Sequence, residues 1–454
     1  MISEPFSLRN LPIACKRWLI FLLCMHCALA IAYASITPYR SAGRIRFQGG
    51  AQVSDIGAPD ERQHVNYILH LVRGEGFPVL DPKDPNLGEN YQAHQPPLYF
   101  MLASLPARAV APETLEQPGG YWLRFLNCMI GVMTVIGVFL LAFWSTKRDD
   151  IALLAAAFSA LLPMHIALNG AISNDPLLFC LCTWTLAFCS LGVQQGWCQG
   201  IAIRIGLLAG LAMLTKTTAI ALTPIIALSL LANHKIWKPS NSFRLALSTF
   251  LVLFAVAGLW WLRNLNLYGD PFAMKAFNAA FVNSPQASAF INELGAYTYW
   301  TQWVGWWTMR SFVGTFGYMD IFLPNFLYGI ALLIFLVCWT LGGLRSKELV
   351  QSKWQSGMLY GFMGLVVLLF VRFNLQYFQG QARYLLPAIG PIAILFSLGW
   401  QSAFAKLPRW NLAVLVSIFL ALNLYVLSIL PREFLMRAAQ GTQSPNQIVS
   451  FLRN

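Results

Sequence analysis

Trp18-Leu-Ile-Phe-Leu-Leu-Cys-Met-His-Cys-Ala-Leu-Ala-Ile-Ala-Tyr-Ala-Ser-Ile36 contains no Asp, Glu, Lys or Arg, and Lys16 and Arg17 stand directly before it. A helix needs about 20 apolar residues to cross a hydrocarbon core, so this run reads as a first membrane span. The Lys-Arg pair marks its leading flank as cytoplasmic. Its tail, Ala32-Tyr-Ala-Ser35, also has the small-residue pattern of a signal-peptidase site. An uncleaved span is the preferred reading, because the topology of the rest depends on it.

Outward from that run the same pattern repeats. Apolar spans are expected at about 121–145, 150–169, 175–193, 203–215, 218–232, 246–262, 321–341, 355–371, 384–402 and 411–430. The chain is 57% hydrophobic and 11% charged, where a soluble protein carries about a quarter charged residues. A soluble α/β enzyme is excluded. The expected fold class is an all-α integral membrane bundle.

The net charge of +13 would suggest nucleic acid in a soluble protein. Here Lys and Arg mark cytoplasmic loops, and anionic lipid headgroups are the nearest partner. No basic recognition helix or RNA-binding signature is present, so nucleic acid is not expected. Lys147 and Arg148, then Arg204, then Lys235, Lys238 and Arg244, then Arg345, Lys347 and Lys353, then Lys406 and Arg409 fall in short connections on one side. That fixes about eleven spans, N-terminus inside and C-terminus outside. The stretch 203–232 reads either as two short helices with Lys216 at the outer turn or as one interrupted hairpin.

The expected membrane domain is 1–430, followed by a tail over 431–454 that is poorly anchored or forms a short interfacial helix. Two long segments lie outside, 38–120 and 263–320. Within the first, Pro97 to Ala111 is apolar but short: its fifteen residues reach roughly 22 Å, less than the core of about 30 Å. It reads as an interfacial helix in the first extracytoplasmic loop. The second carries Trp300, Trp303, Trp306, Trp307, Phe312, Phe316 and Tyr318. These suit an interfacial aromatic belt or an acceptor or lipid-chain groove. The nine cysteines all fall in apolar spans or their cytoplasmic flanks, which implies small core residues and no disulfide framework.

The sharpest polar cluster is Ala58-Pro-Asp-Glu-Arg-Gln-His64, just after the first span. Pro59 favours a helix start, which places Asp60 and Glu61 in a first turn and His64 one turn on. Adjacent carboxylates beside a membrane suggest a base, a metal ligand, or both. Taken alone, the triplet also reads as acids at the positive end of a helix. The loop ends in Tyr91-Gln-Ala-His94-Gln95-Pro96-Pro97-Leu98-Tyr99, where paired prolines fix the direction of His94 and Gln95. The next outer loop, Ile172-Ser-Asn174-Asp175-Pro176, is so short that its carboxylate sits at the membrane surface, as a functional group or as a helix cap.

Lys216, Arg263, Arg310, Arg372 and Arg383 fall at the same outer level. Lys216 lies within an apolar stretch. Such a residue is costly there and points to function, or it snorkels to the interface. Arg263 closes Trp260-Trp-Leu-Arg-Asn264; Arg383 and Tyr384 open Arg383-Tyr-Leu-Leu-Pro387. Carboxylates and cations from distant segments thus gather at one face. An enzyme using a membrane-anchored phosphate donor needs that arrangement: cations grip phosphate and a carboxylate takes a hydroxyl proton.

With these residues in hand, the chain resembles the membrane glycosyltransferases of the GT-C fold class, which include protein O-mannosyltransferases, lipid A aminoarabinose transferases and bacterial relatives. The shared landmarks are Asp60-Glu61 after the first span, Pro96-Pro97-Leu98-Tyr99, Arg124 in Tyr121-Trp-Leu-Arg-Phe-Leu-Asn127, Asp175, and Gly210-Leu-Ala-Met-Leu-Thr-Lys216. Their order and spacing match over about the first 220 residues. The later Arg310-Ser-Phe-Val-Gly-Thr-Phe-Gly317 and Gln381-Ala-Arg-Tyr-Leu-Leu-Pro387 are similar to a bacterial branch of the class.

The resemblance implies sugar transfer from a polyprenyl-phosphate carrier, with inversion, to a glycan, lipid or protein acceptor. It implies a bacterial cytoplasmic membrane with the site outside. Asp60 is the implied base and Glu61 its partner; Asp175 orients the acceptor or helps hold a metal. Lys216, Arg263, Arg310 and Arg383 are phosphate-binding candidates, with His64, His94, Gln95, Asn174 and Tyr384 as further substrate contacts. No cofactor is implied beyond, at most, a divalent metal ion, whose candidate ligands are Asp60, Asp175 and His64. The sequence departs from the pattern at Gln95, where several relatives carry Lys before the proline pair, and it lacks the soluble C-terminal domain of some relatives.

Two other classes compete: a transporter or flippase of a lipid-linked saccharide, and a non-catalytic envelope-assembly protein. Transporters tend to show inverted repeats and ionisable groups at the bilayer midplane, and neither is found. The joint presence of Asp60, Glu61, Asp175 and Lys216 speaks for an enzyme. A metal hydrolase built on His64 and His94 lacks a His-x-x-x-His pair on one helix.

Overall fold

The first apolar run forms helix α1 (Ile13–Ile36), and the remaining runs follow as helices of one bundle. This computed structural model describes residues 11–46, 50–234, 239–282, 284–407 and 410–441. Lys235, Lys238, Arg409 and the tail beyond 441 lie outside the described residues.

After α1 the first long loop folds into a short hairpin of β1 (Gly43–Arg44) and β2 (Gln52–Val53), then α2 (Glu61–Val72) and α3 (Leu98–Ala107). The short apolar stretch after the proline pair is therefore helical as expected. Its first amide, Leu98 N–H, donates to the Leu214 carbonyl at 2.9 Å and so joins the loop to the membrane bundle.

The bundle continues with α4 (Arg124–Thr146), α5 (Asp149–Leu161), α6 (Pro163–Asn169), α7 (Asp175–Gln195), α8 (Gln199–Met213), α9 (Leu222–His234) and α10 (Pro239–Tyr268). A small hairpin, β3 (Thr315–Phe316) with β4 (Ile321–Phe322), precedes α11 (Asn325–Leu349). Then come α12 (Lys353–Asn374), α13 (Ile389–Ala403) and α14 (Asn411–Gly441).

Among the described residues eight helices are long and apolar enough to cross a membrane, or nine if the pair α5 and α6, bent by 61°, is one span. The bend sits at Pro163, which lacks the amide that would continue the ladder. The two other expected spans, 203–215 and 218–232, correspond to shorter apolar helices, Gln199–Met213 and Thr217–Ala232. They run as two short helices turning at Lys216, the first of the two readings of that stretch. Of the expected tail, residues 431–441 continue α14 through Pro431 to Gly441, with Arg437 buried against Asp320 at 2.7 Å.

Over its most apolar 18 residues α7 is 78% buried, as is Leu386–Ala403, and the two form the centre, whereas the corresponding stretch of Asn325–Lys347 is 22% buried and presents an apolar face outward. Two glycines let α11 and α13 meet backbone to backbone. A Cβ at Gly399 would strike the Cys338 carbonyl, and one at Gly342 would strike that of Leu395. At the end of the bundle away from the first loop, Gln355 Nε2 donates to the Trp144 carbonyl at 2.9 Å and Gln194 Nε2 to the same carbonyl at 2.8 Å. Spans therefore alternate in direction, and the segments around 60, 175, 216 and 383 emerge together at the other end.

Candidate active site

Asp60 precedes α2 rather than standing in its first turn. Its backbone is left-handed (φ 62°), and its side chain makes no capping bond to the helix. Such a conformation is uncommon for a residue with a Cβ and is often found at functional sites. Here it turns the carboxylate away from the helix amides. Tyr91 Oη donates to Asp60 Oδ1 at 2.6 Å, and Arg383 Nη1 lies 2.7 Å from Oδ2. The turn before it is fixed by Asp55, whose carboxylate accepts from the amides of Arg40 (3.0 Å), Ser41 (3.4 Å) and Gly57 (3.0 Å).

The second ion pair stands beside the first. Asp175, the first residue of α7, accepts from Lys216 Nζ at 2.6 Å. Lys216 is placed by the turn after α8, which Asn174 Nδ2 holds through the Thr215 carbonyl at 3.1 Å. Asn174 also donates to Gln95 Oε1 at 3.2 Å, and Gln95 Nε2 meets His94 Nε2 at 3.1 Å. Tyr384 joins the two pairs: its ring centroid lies 5.9 Å from Lys216 Nζ and 5.2 Å from the Arg383 guanidinium. Arg383 sits on a single turn, Ala382–Tyr384, whose first amide donates to Ser311 Oγ at 2.6 Å.

The electrostatics follow from burial and pairing. Burial alone would raise the Asp60 pKa, but Arg383 and the Tyr91 hydroxyl more than offset it and hold the group down at about 2. Burial pushes His64 down to about 4 against the pull of Asp60 and Asp175. It pushes His94 to about 4 as well, against a bond to the Tyr91 carbonyl. Both imidazoles are neutral at pH 7. The His64 ring stacks on Phe100 at 5.7 Å, and its buried Nδ1 has no hydrogen-bond partner among the described residues.

Nine of the expected residues are thus brought together: Asp60, His64, His94, Gln95, Asn174, Asp175, Lys216, Arg383 and Tyr384. Three are not. Glu61 does not partner Asp60. It is buried in a two-pronged pair with Arg124 (Nε to Oε1 2.7 Å, Nη2 to Oε2 2.5 Å) and accepts from the Ile172 amide at 2.8 Å. Arg124 also donates to the carbonyls of Ala34 (2.7 Å), Thr37 (2.6 Å) and Pro38 (2.8 Å), tying the end of α1 to α2 and α4. Arg263 donates to the Pro78 carbonyl at 2.8 Å and lies over Trp260. Arg310 lies 3.7 Å from the Phe322 ring centroid, with Trp307 and Tyr328 around it.

Tyr91 was present in the stretch that supplied His94 and Gln95, yet received no role. Arg124 opens an apolar span, where a charged residue needs a partner, and that signal would have claimed Glu61. Tyr318, on the β3–β4 turn, lines the hollow beside Asp60; its sequence signal was membership of the aromatic-rich second loop, with nothing to set it apart from the other rings.

Asp60, Asp175 and His64 do not fit a metal in this arrangement. Both carboxylates already face cations, and no group of three His, Cys, Asp or Glu among the described residues is placed to hold one ion.

Residues 81–391 match a family model described as "Predicted membrane protein (DUF2142)". The chain belongs to this family. No curated protein matches the DUF2142 chain. Its fold is similar to ArnT from Cupriavidus metallidurans bound to undecaprenyl phosphate, at 13% identity and TM-score 0.52, covering 94% of this chain and 75% of that one. It is also similar to the Archaeoglobus fulgidus oligosaccharyltransferase in complex with zinc and sulfate, at 14% identity and TM-score 0.51, covering 93% of this chain and 53% of that one. The DUF2142 chain spans 62% of the apo form of the same ArnT, so it covers between about half and three quarters of these structures. It is a multi-pass membrane protein with the GT-C fold.

Proposed function

We propose that the DUF2142 chain transfers a sugar from a polyprenyl-phosphate donor to an acceptor hydroxyl, with inversion, at the outer face of a bacterial cytoplasmic membrane. The observation that carries this reading is the alternating array Asp60–Arg383 and Asp175–Lys216, drawn from four separate segments at one end of the bundle. The likeness to a fold that holds undecaprenyl phosphate in ArnT supports it. So does the distribution of basic residues, because Lys147, Arg148, Arg204, Arg345 and Lys353 belong to the opposite end.

In the resting array Asp60, held at about 2 by Arg383, is a weak base. A donor phosphate competes for the same cations. As Arg383 and Lys216 turn to the phosphate, Asp60 loses its counter-charge and regains basicity, so donor binding arms the base. The acceptor oxygen then forms its bond to the anomeric carbon, and its proton passes to Asp60. The bond from that carbon to the phosphate oxygen breaks, and polyprenyl phosphate leaves as an anion that needs no strong acid. Tyr91 orients Asp60; Asp175 holds Lys216 in place until the phosphate arrives.

The test is transfer or hydrolysis of radiolabelled polyprenyl-phosphate sugars by purified protein in native lipid. Asp60→Asn is expected to lower turnover by about 10²–10⁴-fold, the contribution of a positioned base, with donor binding retained. Equal turnover in both proteins would remove Asp60 from the reaction.

A further inference from the structure

The turn 170–174, between α6 and α7, carries Asn174 and leads into Asp175. It is too short to hold itself. Among the described residues no backbone amide takes up the carbonyls of Ala171 and Ser173. One side chain from another helix takes both. Asn127, fully buried on α4, donates from Nδ2 to the Ala171 carbonyl at 2.5 Å and to the Ser173 carbonyl at 2.9 Å. A carboxamide suits this task, because its single nitrogen carries two hydrogens.

Two links run outward from the turn. The Ile172 amide donates to Glu61 Oε1 at 2.8 Å, and Arg124 Nε meets the same oxygen at 2.7 Å. Asn174 Nδ2 donates to the Thr215 carbonyl at 3.1 Å, beside Lys216, whose Nζ meets Asp175 Oδ1 at 2.6 Å. Arg124 and Asn127 stand three residues apart on α4 and share a face of it. Their separation along the helix axis is about 4.5 Å. Through Glu61 the first anchors the turn that presents Asp60 to Arg383. Through two carbonyls the second anchors the turn that presents Asp175 and, by way of Asn174, Lys216. The start of one rigid span is thus the ruler between the two ion pairs.

We propose that Asn127 is a positioning residue for the donor phosphate. By seating the 170–174 turn on α4, it sets Lys216 at the distance from Arg383 at which one phosphate meets both. This assignment rests on the transferase reading for the identity of the ligand, though the binding it requires can be measured without sugar transfer.

Full-length protein in nanodiscs is titrated with undecaprenyl phosphate, with undecaprenol, which lacks the phosphate, as control. Asn127→Ala is expected to weaken binding about tenfold or more, the loss of about one charge-assisted contact, with the number of sites per protein unchanged. A role confined to folding does the opposite and leaves fewer sites of wild-type affinity. Because Asn127 acts through Lys216, its loss should not add to that of Lys216→Gln: the double variant should bind as Lys216→Gln does alone. If Asn127→Ala fails to fold, Asn127→Ser, with one donor on a shorter arm, takes its place. Unchanged affinity, sites lost at constant affinity, losses that add, or no phosphate-dependent binding by the wild type would overturn the proposal. Donor turnover that depends on Asp60, with undiminished binding in Asn127→Ala, would sink this inference and leave the transferase standing. Weakened, non-additive binding without donor turnover by the wild type would do the reverse.

Discussion

Asp60 shows how one residue's backbone decides its chemistry. Its left-handed φ sends the carboxylate to Tyr91 and Arg383, while Glu61, one position on, points into the bundle at Arg124. Adjacent acids with opposite environments cannot be separated by reading the pair alone, which is why Glu61 was paired with Asp60 rather than with Arg124. Lys216 and Arg383 were legible because a charge in an apolar run needs an explanation. Arg263 carried the same signal, but backbone carbonyls take its donors, whereas Arg310 packs among aromatic rings with its Nε–H unpaired among the described residues; sequence shows neither environment. The buried imidazoles make a pH prediction. An exposed His titrates near 6.5, and His64 in the fold titrates near 4. Between those values the unfolded chain binds a proton that the folded one refuses, so this contribution is present above about pH 6.5 and is lost as pH falls towards 4. Thermal unfolding in nanodiscs should show a steeper loss over that window for the wild type than for His64→Gln. Parallel curves would contradict it.

At the level of elements, the apolar runs located every major helix, because hydrophobic length is written directly in sequence. Their lengths were less secure. The run at 150–169 is broken at Pro163, and the pair around Lys216 is too short for either helix to pass as a full span by length. Close helix contact was not legible, since a glycine reads the same whether it faces lipid or another backbone. Gly342 and Gly399 are contact glycines, whereas Gly364 on α12 has open space where a Cβ would stand. Gly399→Ala should force α11 and α13 apart and lower stability by about 1–3 kcal/mol or more. Gly364→Ala should change stability little or raise it by up to about 1 kcal/mol. Thermal unfolding in detergent compares the two, and an equal loss would refute the close approach as the cause.

For the whole molecule, the alternation of spans places the array at one end and the amide ties of Gln194 and Gln355 at the other. A membrane-impermeant maleimide should reach Glu113→Cys from outside intact cells, and the native, exposed Cys198 only from the inner side. Reversed labelling would overturn the orientation; labelling of both from one side would overturn the alternation. The same long-range closure has a consequence for synthesis. Asp60 and its counter-ion Arg383 are 323 positions apart (383 − 60). A ribosome adding about 5–20 residues per second needs roughly a quarter of a minute to a minute between them. Throughout that interval the nascent chain holds the Asp60 carboxylate without its cation. On the function proposed above, a stalled or truncated chain would carry Lys216 but lack Arg383, and so only part of the array that meets a donor phosphate.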